Sequence, residues 1–462
     1  MDKNENKEPS RLRSTVRQGR SVAALLPIMA VVFVAYLVIG LAMPVLPLHV
    51  HQGLGLSTFV VGLVAGSQFA ASLLSRLWAG HHADRRGAKH TVVTGLLVAV
   101  AAGLLYLLSL RFVDKPETSV AILLLGRALL GGAESFIITG ALSFGLALMG
   151  PQNTGKVMAW VGTALYAAFA VGAPAGSALY TSHGFVAIAL AATLIPLAAL
   201  PLIAPLRAVA PLPHRSAALT EVAGAVWVPG LGLALSGVGF GAIITFIALL
   251  FAQRGWGAAW LAFTALSVAF IVGRVVFGHL PDRIGGAKVA LACVLIEAVG
   301  QALIWLAPWS ALALAGVTLT GLGYSLVYPG FGVEAVRRAP PQSRGLALGA
   351  YTACLDLSLG LASPALGLIA GRASLSGVYL VSALVVLSAA FIAMRLHAPS
   401  RLPPVQPAAG AHGATSFSRI DRLRQQEVEK ERSCCDDRVA LSDRFIGSRE
   451  RDEGRAKIQA DA

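Results

Sequence analysis

Long apolar runs separated by short polar segments fill the first 397 residues of this 462-residue chain. A helix that crosses a bilayer needs about 20 mostly apolar residues. Twelve runs meet that length, and each predicts a membrane-spanning helix. They lie near residues 24–46, 58–79, 91–110, 119–143, 157–179, 184–206, 225–251, 258–280, 288–307, 311–331, 346–370 and 375–397. The pattern predicts an all-α membrane protein rather than two or three soluble domains.

The composition agrees with this prediction. Hydrophobic residues make up 56% of the chain and charged residues only 13%, whereas a soluble domain carries about 25% charged residues. The formal net charge of +14 sits in short loops, with no basic stripe interleaved with aromatic residues, so we expect no nucleic-acid partner. The four cysteines show neither a disulfide pattern nor the spacing of metal ligands. We therefore predict no metal and no cofactor.

The charges of the connecting segments predict the orientation in the membrane. An even number of spans places both termini on one side, and cytoplasmic loops carry an excess of Lys and Arg. On the side of the termini the connections hold Arg85, Arg86, Lys89, Lys156, Arg207, Arg215, Arg283, Lys288, Arg337, Arg338 and Arg344. On the other side they hold only Arg111, Lys115, Arg254 and Arg372. We expect both termini in the cytoplasm.

The chain also repeats itself. Residues 80–89 read GHHADRRGAK and residues 278–288 read GHLPDRIGGAK, with Asp84 and Asp282 198 positions apart; Arg76 and Arg274, just upstream, share that offset. This repeat predicts two pseudo-symmetric bundles of six helices. We divide the chain into an N-terminal segment, a first bundle, a linker, a second bundle and a polar tail, at 1–22, 23–206, 207–221, 222–397 and 398–462.

The repeated segment has the residues of a tight turn at a membrane surface. Glycine permits the turn, and Asp84 is placed to pair with a basic residue or with a helix N-terminus, where a carboxylate is favoured. A plain positively charged turn is the alternative for a single copy, and the second copy argues against it. His81 and Asp84, like His279 and Asp282, supply too few ligands for a zinc site.

The same segment resembles motif A of the major facilitator superfamily, G-x-x-x-D-R-x-G-[RK]-[RK], with Ala88 at the first basic position. In that family the segment latches the two halves together in one state of the transport cycle. The resemblance implies that Asp84 is the latch acid. The supporting positions and the second copy are then Gly80, Arg85, Gly87, Gly278, Asp282 and Arg283.

The fourth span carries Arg127, Gly131 and Glu134 at positions i, i+4 and i+7, which share one face of a helix. An ionisable residue within a span is costly and indicates function. Arg127 and Glu134 are separated by about 10 Å along the axis, so we expect both to face one cavity without a firm direct pair. An arginine bonded to backbone carbonyls is the structural alternative. The segment resembles motif B of the superfamily, R-x-x-x-G, whose arginine is implicated in proton coupling.

Asp356 in the eleventh span lies near the membrane midplane, and Glu297 in the ninth lies at a similar depth. A carboxyl group removed from water binds protons more readily than one at the surface. The resemblance places spans 3, 6, 9 and 12 outside the cavity, so we expect Glu297 to be structural or lipid-adjacent. Proton coupling is therefore assigned to Glu134 and Asp356, with Arg127 modulating them.

Polar and aromatic side chains in spans near the expected cavity are candidate substrate contacts, although most aromatic residues in spans serve packing. The candidates are Tyr36, Gln68, Tyr166, Phe240 and Tyr324.

The run from Gly172 to Ser177 resembles motif C of the antiporters, with departures at Ala173 and Ser177. Ordinary packing of small residues between helices is its alternative. Within the superfamily the chain resembles the YhhS-like branch, bacterial inner-membrane proteins often labelled arabinose or drug efflux permeases, at Pro44–Pro47, at the run from Gly126 to Ser135, and at Arg344-Gly345 with Asp356. This resemblance implies a monomeric, multi-pass inner-membrane transporter that uses protons to export a small sugar-like or amphipathic, drug-like compound.

Alternatives of the same fold are an uptake symporter or a facilitator, and a membrane sensor is a more distant one. The chain has no nucleotide-binding P-loop and no nucleophile–base set at one membrane face. We therefore expect neither ATP-driven transport nor an enzyme. The predicted partners are the substrate, protons and the lipid bilayer.

Overall fold

The computed structural model describes residues 8–150, 154–205, 219–339 and 344–397. These residues form twelve long helices and no strand, and all twelve are long and apolar enough to span a membrane. The predicted all-α architecture of twelve spans is confirmed. Most of the predicted linker and the whole predicted tail, at 206–218 and 398–462, lie outside the described residues, so those domain boundaries stay predictions.

The first six long helices are α1 (Glu8–Ala42), α2 (Thr58–Arg86), α3 (Ala88–Ser109), α4 (Pro116–Met149), α5 (Thr154–His183) and α6 (Phe185–Ile203). The second six are α7 (Leu219–Gln253), α8 (Trp260–Phe277), α9 (Gly286–Leu306), α10 (Ser310–Arg338), α11 (Arg344–Arg372) and α12 (Leu375–His397). Short helical segments lie between them at Leu46–Leu48, His49–Gly53, Leu110–Phe112 and Leu280–Ile284.

The repeated glycine-containing segment is more helical than the sequence predicted. Helix α2 continues through Asp84 to Arg86, and Gly87 alone connects it to α3. Gly87 has a φ of 84° and its counterpart Gly285 a φ of 97°, which only glycine adopts without strain. The predicted tight turn is therefore confined to one residue, because one left-handed glycine is enough to reverse the chain. We call the side of the molecule with Gly87 and Gly285 the glycine-turn face.

Helix packing follows the same scheme in each half of the chain. In the first half α1 packs on α5 and α6, α2 on α4, and α3 on α4 and α6. In the second half α7 packs on α11 and α12, α8 on α10, and α9 on α10 and α12. The repeat in the sequence is therefore a repeat in the structure, and it produces two bundles of six helices.

The two bundles meet along two seams, α2 against α11 and α5 against α8. In the first seam, the Thr58 hydroxyl donates to the Gly367 carbonyl oxygen at 2.8 Å. In the second, the Thr264 hydroxyl donates to the Ala170 carbonyl oxygen at 3.0 Å. Thr58 and Thr264 lie near the helix ends remote from the glycine-turn face, so these contacts close the opposite side of the molecule.

Candidate functional site

A cavity of about 260 Å³ lies between the two bundles. Its lining comes from the eight helices α1, α2, α4, α5, α7, α8, α10 and α11, together with the segment that follows α1. None of the lining residues belongs to α3, α6, α9 or α12, the four helices that the resemblance placed outside. Because both bundles contribute walls, a change in their relative position changes access to this cavity.

The structure places eight of the predicted site residues in the lining of this one cavity. Five are the candidate substrate contacts and three are the candidate proton-coupling residues. They are Tyr36, Gln68, Tyr166, Phe240, Tyr324, Arg127, Glu134 and Asp356.

An ion pair across the first seam is the main feature that the sequence did not predict. The Arg76 Nε donates to Asp356 Oδ2 at 2.9 Å, and the Nη2 of the same guanidinium donates to the same oxygen. The Arg76 side chain is 21% exposed and that of Asp356 is 9% exposed, so the pair is largely screened from solvent. It joins α2 of one bundle to α11 of the other at the cavity wall.

Glu134 is held by an amide instead of a cation. The Gln68 Nε2 donates to Glu134 Oε2 at 2.8 Å, and Gln68 itself is buried. Helices α2 and α4 approach closely here, because Gly131 leaves no room for a side chain against the Gln68 carbonyl oxygen. The Ser135 hydroxyl, which donates to the Ser72 carbonyl oxygen at 2.7 Å, adds a second link between these helices.

Arg127 forms no ion pair with any described residue. Its side chain is buried, and its Nε has no hydrogen-bond partner in the part of the chain that the structure describes. Arg127 and Glu134 share the cavity, as their spacing on α4 predicts, and do not pair directly. The hydroxyl of Tyr36 is likewise buried without a hydrogen-bond partner among the described residues.

Aromatic rings form one wall of the cavity. Tyr166 stacks on Phe270 with 3.6 Å between ring centroids, and Phe240 stacks on Tyr324 at 5.0 Å. The Arg274 guanidinium carbon lies 5.8 Å from the centroid of Phe270, within the range of a cation–π interaction. This wall offers flat apolar surface with a positive charge at its edge.

Two lining residues, Arg76 and Arg274, were not predicted from the sequence. A signal for the two arginines was present, because they repeat at the same offset as the glycine turns. The predicted second span ended at 79, which placed Arg76 near the lipid headgroups. Since α2 extends to Arg86, Arg76 lies about 15 Å from the end of the helix, deep enough to reach the cavity.

The motif A residues lie at the glycine-turn face, away from the cavity. Asp84, Arg85, Asp282 and Arg283 are exposed, and within the described ranges neither aspartate forms an ion pair. Gly80 and Gly278 complete this set. The described residues also contain no cluster of His, Cys, Asp and Glu that could hold a metal ion.

Glu297 lies inside the second bundle. It is fully buried and accepts a hydrogen bond from the Ser236 hydroxyl, between α9 and α7. The neighbouring Gln301 Nε2 donates to the Gly239 carbonyl oxygen at 3.1 Å. Of the two expected roles of Glu297, structural or lipid-adjacent, these contacts agree with the structural one.

Comparison with known proteins identifies one family along most of the chain. The profile described as Major Facilitator Superfamily matches residues 28–262 and 230–429. The uncharacterized MFS-type transporter STM4428 of Salmonella typhimurium strain LT2 is 42% identical over 366 residues, covering 79% of this chain and 94% of that protein. The uncharacterized MFS-type transporter YhhS of Escherichia coli K12 is 41% identical over 369 residues, covering 79% and 90%.

Solved structures share the fold at low sequence identity. The crystal structure of the nucleoside transporter NupG has a TM-score of 0.65 and 15% identity, covering 81% of this chain and 99% of that one. At this identity the likeness concerns the fold alone.

Proposed function

This chain belongs to the Major Facilitator Superfamily as a membrane transporter, and from that premise we propose proton-coupled export of a small sugar-like or amphipathic compound by alternating access. The observation that carries the coupling is the Arg76–Asp356 ion pair. It crosses the boundary between the bundles and lines the cavity at the same time. A proton that binds there acts on both the substrate chamber and the seam.

Protonation of Asp356 removes the negative charge that Arg76 binds. An ion pair with little water around it interacts more strongly than one at a surface, so neutralising one partner weakens the first seam substantially. Alternating access requires that seam to open. A proton on Asp356 therefore favours separation of α2 from α11 where these two helices line the cavity.

Glu134 is the second candidate carrier of a proton. It lines the same cavity from α4 and accepts a hydrogen bond from Gln68 on α2. A Gln amide can donate to a carboxylate or to a protonated carboxyl oxygen, so this contact accommodates both states. We propose that Glu134 exchanges protons with the chamber and that Arg127, on the same helix, modulates this exchange.

We further propose that the glycine-turn face is cytoplasmic in a bacterial inner membrane. This orientation rests on the excess of Lys and Arg on that side. The hydrogen bonds of Thr58 and Thr264 then close the periplasmic side, and the structure is the state in which substrate enters from the cytoplasm. Export follows when protons from outside exchange for substrate.

Uptake is the second candidate, and one observation weakens the case for export. Gly172 lies directly against the backbone of Gly40, where an added side-chain carbon would meet it at 2.8 Å. The segment that resembles the antiporter motif thus has a packing role between α5 and α1, which weakens its value as a sign of export. Deletion distinguishes the two directions, since loss of an exporter raises sensitivity to the substrate and loss of an importer lowers its accumulation.

The proposal is tested in inverted membrane vesicles with an internal pH indicator. A screen of compounds with the gene deleted or overexpressed supplies the substrate. An exporter that exchanges substrate for protons is expected to release protons from the vesicle interior as substrate enters. Glu134→Gln and Asp356→Asn are expected to abolish this pH change, whereas Asp114→Asn, at an exposed acid beyond α3, is the control that retains it.

Two results would contradict the proposal. Substrate movement that ignores an imposed pH gradient excludes proton coupling. Coupled transport by the double variant Glu134→Gln/Asp356→Asn excludes the assignment of protons to these residues.

A further inference from the structure

Matching arginines in the two bundles have different partners. Arg76 on α2 and Arg274 on α8 lie 198 positions apart, the offset of the glycine turns, and both line the cavity. Arg76 faces α11 across the first seam and pairs with Asp356. Arg274 lies beside the second seam, between α8 and α5.

Helix α5 shows what stands opposite Arg274. Helices α5 and α11 begin at Thr154 and Arg344, an offset of 190 that also relates Pro174 to Pro364. At this offset Tyr166 is the counterpart of Asp356. The cavity confirms the register, because four lining residues of α11 each have a lining counterpart 190 positions earlier: Thr352, Leu355, Asp356 and Leu359 match Gly162, Leu165, Tyr166 and Phe169.

Arg274 therefore lacks the carboxylate that its counterpart has. Tyr166 stacks on Phe270 at 3.6 Å, and the guanidinium lies near the Phe270 ring. Among the described residues Arg274 has neither an ion pair nor a hydrogen bond. A guanidinium held away from bulk water without an anion is unfavourable, and an aromatic face replaces an anion only in part.

The other charges of the cavity also favour a negatively charged ligand. Its charged lining residues are three arginines and two carboxylates, namely Arg76, Arg127, Arg274, Glu134 and Asp356. The sum is positive whether the carboxylates are ionised or protonated. A cavity of one sign attracts ligands of the opposite sign and repels those of its own.

We propose that Arg274 binds the anionic group of the transported compound, a carboxylate or phosphonate, in the position that Asp356 occupies against Arg76. The stacked rings of Tyr166, Phe240 and Tyr324 then contact a flat or apolar body. This inference rests on the proposed transport function and narrows its substrate to an amphipathic organic anion. Arginine suits the site because its planar fork binds carboxylate and phosphate groups with two parallel hydrogen bonds, and a phosphonate presents its oxygens in the same way as a phosphate.

The anion would also act on the second seam. Asp356 on α11 contributes a negative charge to the seam with α2, and a bound anion between Arg274 and Tyr166 contributes one to the seam of α8 with α5. Substrate would thus supply the contact that the sequence of the first bundle leaves out. The bound substrate would act on the seam of α8 with α5, and the proton on Asp356 would act on the seam of α2 with α11.

The first experiment measures binding to the full chain in lipid nanodiscs. The probes are phenylacetate and phenylphosphonate, their neutral analogue phenylacetamide and the cation phenethylamine, followed by a wider panel of aryl and alkyl carboxylates with their amides. The proposal expects the anions to raise the thermal unfolding temperature more than the matched neutral or cationic compounds. Arg274→Gln is expected to weaken anion binding at least about tenfold, the effect of losing one charged contact, and Arg274→Lys to weaken it less.

The second experiment needs no ligand. Tyr166→Asp places a carboxylate opposite Arg274, as in the first seam, and Tyr166→Asn is the matched neutral control that also removes the ring. The aspartate variant is expected to unfold at a higher temperature than the asparagine variant and to lose the stabilisation by anions. That difference should disappear in an Arg274→Gln background.

The outcomes separate this inference from the proposed function. Anions that bind no better than their amides throughout the panel, or bind equally to Arg274→Gln, overturn the anion site. So does equal stability of the two Tyr166 variants. Anion binding that depends on Arg274, without transport that responds to a pH gradient, supports the site and contradicts proton-coupled export.

Discussion

At the scale of single residues, the Arg76–Asp356 pair allows a prediction about stability and coupling together. Removing one partner of a buried ion pair costs about 3–5 kcal/mol, and the 21% exposure of the Arg76 side chain places this pair toward the lower end. Arg76→Gln and Asp356→Asn are each expected to destabilise the protein. The double variant should recover most of the loss, because no charge is left unpaired, and should still lack coupling.

Thermal unfolding and substrate-dependent pH changes in vesicles measure the two effects. A double variant as unstable as the sum of the single variants would mean that the residues do not act as a pair. Proton coupling in the double variant would separate the pair from the transport cycle.

The difference between predicted and missed residues has a physical origin. Tyr36, Gln68 and Glu134 were predictable, because a polar group in a spanning helix points away from lipid, toward a cavity or the interior of a bundle, and these three lie in spans expected near the cavity. The partner of Asp356 was not predictable, because Arg76 lies 280 positions away in the chain. Helical spacing reports which residues share a face and carries no information on which face another helix covers.

At the scale of helices, the contact of α2 with α4 depends on Gly131. An added Cβ there would overlap the Gln68 carbonyl oxygen, which is backbone and cannot turn away. Gly131→Ala is expected to destabilise the protein by about 1–3 kcal/mol and to impair coupling, because it pushes Gln68 away from Glu134. Gly132→Ala is the matched control, since its Cβ would come no closer than 4.0 Å to Ser75.

Thermal unfolding and vesicle transport of both variants test this role. The control should be neutral or slightly stabilising, because alanine is favoured over glycine in a helix. Equal effects of the two substitutions would show that general helix propensity, and not the contact at Gln68, determines the outcome.

The first seam depends on another glycine, Gly367 on α11. A Cβ at this position would lie 2.5 Å from the Thr58 carbonyl oxygen and 2.9 Å from the Phe59 Cα. Gly367→Ala is therefore expected to separate α2 from α11 on the side remote from the glycine turns and to populate the opposite conformation. Gly349→Ala, on the same helix with no atom within 4 Å of the new Cβ, should leave the conformation unchanged.

The measurement is the accessibility of a cysteine at Thr58 to a membrane-impermeant thiol reagent, after replacement of the four native cysteines. The parent and both glycine variants carry this cysteine, so all three lack the Thr58 hydroxyl bond and differ only at the glycine. Labelling is expected to increase by about fivefold or more, as for a shift of about 1 kcal/mol or more between states, in the Gly367 variant only. Unchanged labelling in both variants would mean that the seam opens without regard to this contact.

The ends of the helices show the limit of prediction from apolar runs. The number and approximate positions of all twelve spans followed from hydrophobicity, because lipid requires continuous helical hydrogen bonding. The end of α2 could not be predicted from hydrophobicity, since residues 80–86 are mostly polar and yet helical. Such residues remain helical at a membrane surface because water and headgroups accept their side chains.

At the scale of the whole molecule, the closed seams and the motif A residues lie on opposite sides. Thr58 and Thr264 hold the bundles together on one side, while Asp84 and Asp282 are exposed on the other without ion pairs to described residues. The sequence predicted a latch and could not say when it acts. We propose that the predicted latch is released in the present state and forms when the glycine-turn face closes.

Asp84→Asn should therefore affect only the state that is not seen here. The variant is expected to keep the stability of the present conformation and to lose population of the alternative one. An exposed ion pair is worth up to about 1 kcal/mol, which corresponds to about a fivefold change in population. Asp114→Asn, an exposed acid on the remote side, is the matched control.

Spin labels at the equivalent positions His90→Cys and Lys288→Cys, after replacement of the four native cysteines, report the separation of the two bundles at the glycine-turn face. The Asp84 variant should show a larger fraction of the long distance and a lower transport rate, and the Asp114 variant should match the parent. A shift toward the short distance would reverse the argument, because it would mean that Asp84 holds the glycine-turn face apart by repulsion instead of closing it by attraction.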